Sequence, residues 1–273
     1  MKILISNDDG IYARGIQVLA ERLAREAEHE VYVVAPDRER SATGHALTLH
    51  KPLRVEEIES PGKVKASYWT TGTPSDCVKF AVGNLVPEPV DLVISGINSG
   101  PNLGGEILYS GTVSAAMEGA FLDIPSIAVS LGSSGHRHYE VAAEFIVNLV
   151  ALLPNSPLGR KLFLNVNVPN LPASEIKGVQ ITKLGVRAYN DRFEKRTDPR
   201  GKVYYWLCGE AIEEGEEEGT DAWCMAKHII SVTPISFNMT DMLMKERLES
   251  WEPLSKLISA GVGGLEVQSA KKR

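Results

Sequence analysis

Two adjacent aspartates follow the first hydrophobic segment of the chain, in the sequence Asn7-Asp8-Asp9-Gly10. Neighbouring carboxylates repel each other, and a divalent cation relieves that repulsion because it takes their oxygens as ligands. The alternative is a turn, in which one aspartate caps the next helix and Gly10 adopts a positive φ. The pair therefore predicts either a metal site or a capped turn.

A second cluster, residues 36–45, combines charged and hydroxyl side chains after another hydrophobic segment. Arg38 and Arg40 could bind a phosphate, and Ser41 could offer its oxygen to a metal or its hydroxyl to a phosphate. Surface loops of mixed charge have the same composition. Taken alone, this segment favours a solvated loop over a binding loop.

A third cluster, residues 95–105, contains four glycines and two asparagines. This density of glycine lets backbone amides approach an anion, so the segment could bind phosphate or could be an ordinary turn. It matches neither the G-x-G-x-x-G motif nor a Walker A loop, for which the lysine is absent. Dinucleotide-binding and P-loop assignments are therefore disfavoured.

The fourth cluster, residues 109–116, is a run of small residues that enters a predicted helix. Free amides and the positive end of the helix dipole would bind a phosphate there, with Ser110 and Thr112 as hydroxyl donors. Either residue could instead serve only as the N-cap.

Continuous apolar runs joined by segments of helical spacing predict the elements that position these clusters. The predicted strands cover residues 2–6, 30–35, 90–94, 127–129 and 162–166, and the predicted helices cover a segment after the first strand, about 112–122 and 139–153. Residues 1 to about 170 therefore predict an α/β, Rossmann-like, doubly wound and mostly parallel sheet. Three of the clusters follow its strands and converge on one edge.

The pattern changes after about residue 178. Strand-like segments at 179–182, 203–207 and 229–232 are separated by polar stretches that include an acidic run. We expect a β-hairpin or oligomerisation extension here, and a frayed tail at 268–273. Residues 1–273 are predicted to form one domain, with a core of about 1–170, C-terminal strands within about 178–240 and a terminal helix.

Composition excludes several functional classes. Hydrophobic residues make up 43% and charged residues 23% of the chain, which indicates a folded globular protein. Asp and Glu number 35 against 29 Lys and Arg, but seven of the acids lie within residues 210–221, so the remainder is nearly balanced. General nucleic-acid binding is therefore not expected.

Neither a membrane segment nor a cysteine framework is predicted. No apolar run approaches the ~18 residues of a membrane span, and Asp8 interrupts the N-terminal segment before a signal peptide could form. We expect a cytoplasmic protein with no membrane partner. Three cysteines without C-x-x-C spacing indicate neither disulfides nor structural zinc.

In combination, the motifs resemble those of the survival protein SurE family. The matching segments are residues 7–10, 35–41, 95–100 with Asn102 and Gly104, 109–116 and 231–234. The resemblance implies a metal-dependent phosphomonoesterase that hydrolyses nucleoside monophosphates, as a 5′-nucleotidase with 3′-nucleotidase activity as an open alternative. It also implies homodimers or homotetramers that exchange C-terminal segments.

The same resemblance implies the residues of the site. The implied metal ligands are Asp8, Asp9, Ser41 and Asn98, of which Asp8, Asp9 and Asn98 would be catalytic. An all-oxygen set with two charges favours Mg²⁺ or Mn²⁺ over zinc. The implied phosphate contacts are Ser110, Gly111 and Thr112.

We hypothesise that water attacks phosphorus in line, with the metal as Lewis acid and template. The general acid is unassigned, with His45 or a water at the metal as candidates. A covalent aspartyl phosphate ranks lower, because enzymes that form one resemble Asp-x-Asp whereas these acids are adjacent. A nucleotide-sensing or partner-binding protein without turnover is the non-enzymatic alternative. A nicotinamide-dependent dehydrogenase is disfavoured by the missing glycine fingerprint.

Overall fold

The structure contains a nine-stranded sheet, and most of its parallel strands lie where the sequence places its continuous apolar runs. The computed structural model describes residues 1–133, 135–159, 161–186, 188–189, 192–209, 211–212 and 217–255. The chain divides into two units, residues 1–235 and residues 236–273. The strands are β1 (Lys2–Ser6), β2 (Glu30–Pro36), β3 (Val55–Ile58), β4 (Ala66–Thr70), β5 (Leu92–Ser99), β6 (Ser126–Leu131), β7 (Phe163–Val168), β8 (Val179–Ile181), β9 (Ala188–Tyr189), β10 (Arg192–Thr197), β11 (Val203–Cys208), β12 (Ala211–Ile212) and β13 (Ile230–Pro234). The helices are α1 (Arg14–Leu23), α2 (Pro74–Asn84), α3 (Gly111–Phe121), α4 (Tyr139–Leu152), α5 (Asp221–Ala226) and α6 (Met242–Ser250).

The order of strands in the sheet is β3-β4-β2-β1-β5-β6-β7-β13-β8. The six strands from β4 to β7 in this order are parallel, whereas β3 and β13 run antiparallel to β4 and β7. Strands β6 and β7 are buried along their whole length, as expected for parallel strands covered on both faces. The predicted Rossmann-like, mostly parallel α/β fold is confirmed.

Helices cover both faces of the sheet. Ile16 of α1 and Ile146 of α4 belong to the same apolar cluster as Ile5 of β1. Val78 of α2 packs in a second cluster with Leu4, the neighbour of Ile5 in β1. Because successive residues of a strand point to opposite faces, these two clusters lie on opposite sides of the sheet. The sheet is therefore doubly wound.

The structure also differs from the sequence prediction. Strands β3 and β4 and helix α2 were not predicted. The strand predicted at 90–94 extends to Ser99, so the first five residues of the third cluster belong to a strand and not to a loop. The register between β5 and β6 shifts between Ser95 and Asn98, which bends this strand end away from regular pairing.

The C-terminal strands pair in two different ways. Strands β10 and β11 pair as an antiparallel hairpin, which confirms the predicted extension. Strand β13 instead joins the main sheet beside β7. Of the predicted features, most of the acidic run and the tail at 268–273 lie outside the described residues, and the single-domain assignment stays a prediction. In the described part of the chain, no helix is long and apolar enough to cross a membrane.

Candidate functional site

The loop after β1 is a turn that presents both aspartates at the carboxyl edge of the sheet. Asn7 Nδ2 donates to the oxygen of Gly10 at 2.9 Å, and the N–H of Gly10 donates back to Asn7 Oδ1 at 3.2 Å. Gly10 has a φ of +97°, and a Cβ there would lie 3.0 Å from the backbone carbon of Arg38. The predicted positive φ is confirmed, but neither aspartate caps the next helix, because the N-cap of α1 is Ala13 and no side chain caps it.

Asp8 is held against the first turn of α3. Its side chain accepts a hydrogen bond from the hydroxyl of Thr112, and a Cβ added to Gly111 would lie 2.7 Å from its Cβ. Only 4% of Asp8 is exposed. Burial raises the pKa of Asp8 to about 6. The charge of Asp9 adds to this rise, whereas the hydrogen bond from Thr112 opposes it.

Asp9 is held by the end of β5. Its Oδ2 accepts the backbone N–H of Ser99 at 3.0 Å. Burial raises the pKa of this carboxyl above its usual value, and the charge of Glu39 adds to the rise, whereas the Ser99 bond and the Arg137 charge oppose it. Two carboxylates with raised pKa values therefore stand side by side at the edge of the sheet.

The two neutral candidate ligands, Asn98 and Ser41, are each the sequence neighbour of a residue that hydrogen-bonds to one of the two aspartates. Asn98 precedes Ser99 in β5, and its Nδ2 donates to the oxygen of Gly100 at 2.8 Å. Ser41 follows Arg40, whose backbone N–H donates to the oxygen of Asp8 at 2.7 Å. Its hydroxyl donates to Glu39 at 2.7 Å. The oxygens of Asn98 and Ser41 are the atoms that could face a cation.

The chemistry of this donor set fits a hard divalent cation. Desolvation of two adjacent carboxylates disfavours their charged forms, and a cation reverses that penalty. Among the described residues, no three His, Cys, Asp or Glu side chains are grouped as a metal site. The candidate set has two carboxylates, one amide oxygen and one hydroxyl. Because all of these donors are oxygens, the set differs from the nitrogen and sulfur sites that zinc prefers.

The predicted phosphate segment forms the start of α3. Ser110 is the N-cap and accepts the N–H of Val113 at 3.1 Å, as the capping interpretation predicts. The first backbone bond of the helix runs from Ser114 to Ser110, so the N–H of Gly111 has no partner within the helix. Thr112 uses its hydroxyl on Asp8. The helix start thus combines a positive dipole end with a metal-ligand candidate.

Glu118, a buried glutamate that the sequence analysis missed, lies on the same helix and binds two partly exposed side chains. Glu118 is 3% exposed and binds His45 Nε2 at 2.7 Å and Lys79 Nζ at 2.8 Å. Burial would raise the pKa of Glu118, but the bonds from His45 and Lys79 outweigh it and hold the pKa below its usual value. Glu118 lies about two helical turns after Ser110, so its bond to His45 fastens the loop of His45 to α3. A glutamate within the otherwise small and apolar α3 was the available signal.

The glycine-rich segment after β5 is also anchored by residues distant in sequence. Asn102 accepts bonds through its backbone oxygen from Asn165 and Asn167, both at 2.9 Å. Asp221 is fully buried and accepts the N–H of Gly104 at 2.8 Å and the N–H of Gly185 at 2.8 Å. The loop is therefore fixed by buried polar contacts.

The chain is similar to a well-defined group of proteins. Residues 3–191 match the family model described as survival protein SurE. A 5′-nucleotidase SurE of Thermosynechococcus vestitus is 53% identical over 256 residues, which are 92% of this chain and 96% of that protein. The 5′-nucleotidase SurE of Natranaerobius thermophilus is 49% identical over 256 residues, 92% of this chain and 99% of that protein. The crystal structure of the SurE protein from Aquifex aeolicus matches with a TM-score of 0.80 and 41% identity, over 92% of this chain and all of that one.

Proposed function

Because the chain belongs to the survival protein SurE family, we propose that it is a 5′-nucleotidase that releases phosphate from nucleoside monophosphates. The observation that carries the proposal is the buried Asp8 carboxylate, which packs against Gly111 at the start of α3. A carboxylate pair and a helix N-terminus are the two features needed to hold a cation and a phosphate side by side.

The proposed metal ligands are Asp8, Asp9, Ser41 and Asn98, and the proposed metal is Mg²⁺ or Mn²⁺. When bound, it would polarise a phosphoryl oxygen and orient the attacking water. The raised pKa values of both aspartates support this assignment, because they show charges that the protein alone stabilises poorly.

The residues at the start of α3 would hold the phosphate. The hydroxyl of Ser110 accepts a bond from Val113, which leaves its proton for a phosphate oxygen. The N–H of Gly111 lies at the positive end of the helix dipole. Thr112 would act on the same site through Asp8, because its hydroxyl fixes the orientation of that carboxylate.

We propose direct attack by water and not by an aspartate. One oxygen of Asp8 accepts the Thr112 hydroxyl, and the proposed metal would take the other, so neither oxygen would be left to attack phosphorus in line. A nucleophile needs one accessible oxygen in line with the leaving group. Mass-spectrometric detection of a phosphorylated Asp8 or Asp9 peptide during turnover would overturn this order.

We also propose that the protein forms homodimers or homotetramers. The hairpin of β10 and β11 exposes Phe193 and Tyr205 on one face and Trp206 on the other, each more than half exposed. Contiguous exposed apolar side chains are typical of protein interfaces. Sedimentation velocity on the full chain tests this part of the proposal.

The activity is tested by phosphate release from 5′- and 3′-nucleoside monophosphates and from p-nitrophenyl phosphate. The protein is first stripped with EDTA, and Mg²⁺ or Mn²⁺ is then restored. We expect release only after metal is restored. Nucleotide binding by calorimetry without release under any metal condition would contradict the enzyme and favour a nucleotide-sensing protein.

A further inference from the structure

A cleft of about 670 Å³ opens beside the aspartate pair. Ser99 lines this cleft, and its backbone N–H donates to Asp9 Oδ2 at 3.0 Å. The cleft and the candidate metal site therefore share one wall. Its volume falls within the ~300–1,000 Å³ of sites that hold small ligands.

The lining of the cleft also includes two flat polar groups. His136 and Arg137 lie in the loop before α4, and both line the cleft. The His136 ring contacts the His138 ring edge-on, with centroids 5.3 Å apart. Arg137 Nη1 donates to the backbone oxygen of Gly132 at 2.7 Å, which fixes the guanidinium. Imidazole and guanidinium planes are surfaces on which nucleobases stack.

The charges along the cleft are nearly balanced. Arg14 on its rim pairs with Glu140 at 3.0 Å. The second guanidinium is that of Arg137, so the described lining residues carry two positive charges against the one negative charge of Glu140. The planar face of this guanidinium, more than the net charge of the cleft, favours a base.

We propose that this cleft is the nucleoside subsite, with His136 and Arg137 as the side chains on which the base stacks. The inference rests on the proposed nucleotidase function. The phosphate would lie at Ser110 and Gly111, and the base would extend past Asp9 and Ser99 toward His136.

A second cleft of about 380 Å³ offers the rival position. It lies between α1 and β3 and is lined by Tyr12, Ile58 and Ser60, among others. Tyr12 is 65% exposed and could also stack on a base. The lining of neither cleft includes a proposed metal or phosphate residue, and no residue lining the second cleft donates a hydrogen bond to Asp9 among the described contacts. The second cleft lacks the direct connection that Ser99 gives the first cleft.

The test compares AMP with ribose 5-phosphate, which has the same phosphate and sugar but no base. His136→Ala should lower kcat/KM for AMP roughly tenfold more than for ribose 5-phosphate, since loss of an aromatic stacking partner costs about that factor. His50→Ala removes an exposed histidine outside the cleft and should leave the ratio of the two substrates as in the wild type.

The failures of this proposal and of the proposed function are distinguishable. Absence of phosphate release by the wild type from both substrates overturns the enzyme. Equal losses on both substrates in His136→Ala overturn the base subsite and leave the phosphatase intact. A selective loss on AMP in Tyr12→Ala, with none in His136→Ala, places the base in the rival cleft. Calorimetry of AMP and of inorganic phosphate with EDTA-treated protein gives the same comparison without turnover: His136→Ala should weaken only AMP binding.

Discussion

The carboxyl edge of the sheet buries a charged side chain, whereas the C-terminal hairpin exposes aromatic side chains. At the edge, the charged Asp8 is only 4% exposed, whereas in the hairpin the aromatic Phe193 and Trp206 are 71% and 58% exposed. A buried charge and an exposed aromatic ring both cost free energy in the chain alone. Under the proposed function, a cation at the edge and an apolar protein surface at the hairpin would offset these costs. The free-energy cost of a buried charge or an exposed aromatic ring therefore indicates where we expect a partner to bind.

The largest expected effect comes from removing the buried charge. Asp8→Asn should lower metal-dependent kcat/KM by about 10³-fold, because the lost metal supplies several kcal/mol and each 1.36 kcal/mol is a factor of ten. Steady-state phosphate release measures it. Asp123→Asn is the matched control, since Asp123 is exposed with a φ of 56°, which asparagine tolerates. Wild-type turnover in Asp8→Asn would refute the ligand assignment.

The same variant should have the opposite effect on the stability of the metal-free protein. Because burial raises the pKa of Asp8 from 3.8 to about 6, the folded chain binds this proton more tightly than the unfolded chain does. That contribution is fully present below pH 3.8 and is lost as the pH rises to about 6. Above that pH, Asp8→Asn should be more stable than wild type by up to about 3 kcal/mol. Urea unfolding with EDTA from pH 4 to 8 measures the difference, and a pH-independent difference would contradict the cause.

The close contact between Asp8 and α3 can be tested with one methyl group. In Gly111→Ala the new Cβ would meet Asp8 at 2.7 Å, so the carboxylate or the helix must shift. A displacement of about 1 Å at a reacting group lowers the rate by about 10²-fold. Gly83→Ala is the control, because nothing lies within 4 Å of its Cβ in α2. An unchanged kcat/KM in Gly111→Ala would show that this contact does not position the site.

The smallest expected effect concerns the hairpin. Trp206→Ser should weaken self-association by about 2 kcal/mol, the usual size of a hot-spot aromatic, and should leave the unfolding of the core unchanged. Sedimentation equilibrium measures the dissociation constant. Leu152→Ser alters an apolar residue of α4 that is 68% exposed and should have no effect. Equal association of both variants would remove the hairpin from the interface.

Most of the fold could be predicted because the parallel strands are continuous apolar runs. Strand β3 was missed because its sequence, Val-Glu-Glu-Ile, has two charged residues at its centre and is half-exposed. Helix α2 had a readable start, since Thr73 and Asp76 form a capping box with Pro74 in the first turn. The end of β5 was assigned to a loop because its glycine and polar residues hide the strand.

The site was predictable where its residues lie within short motifs. The positions of Asp8, Asp9 and the start of α3 follow from the rule that parallel strands end at one edge. The contact of Thr112 with Asp8 spans 104 residues, and that of His45 with Glu118 spans 73. Such long-range partners leave no local spacing to read, and only packing reveals them.

The buried carboxylate of Asp221 affects where this chain can accept insertions and deletions. Its side chain accepts the N–H of Gly185, and its own N–H donates to the oxygen of Lys183 at 3.0 Å. These bonds hold together the two ends of the segment that contains the hairpin, and we call this junction the neck. Closing a longer segment costs only about 0.6 kcal/mol for each doubling of its length. We therefore expect that the segment beyond the neck can be lengthened, shortened or replaced with little effect on the carboxyl edge of the sheet.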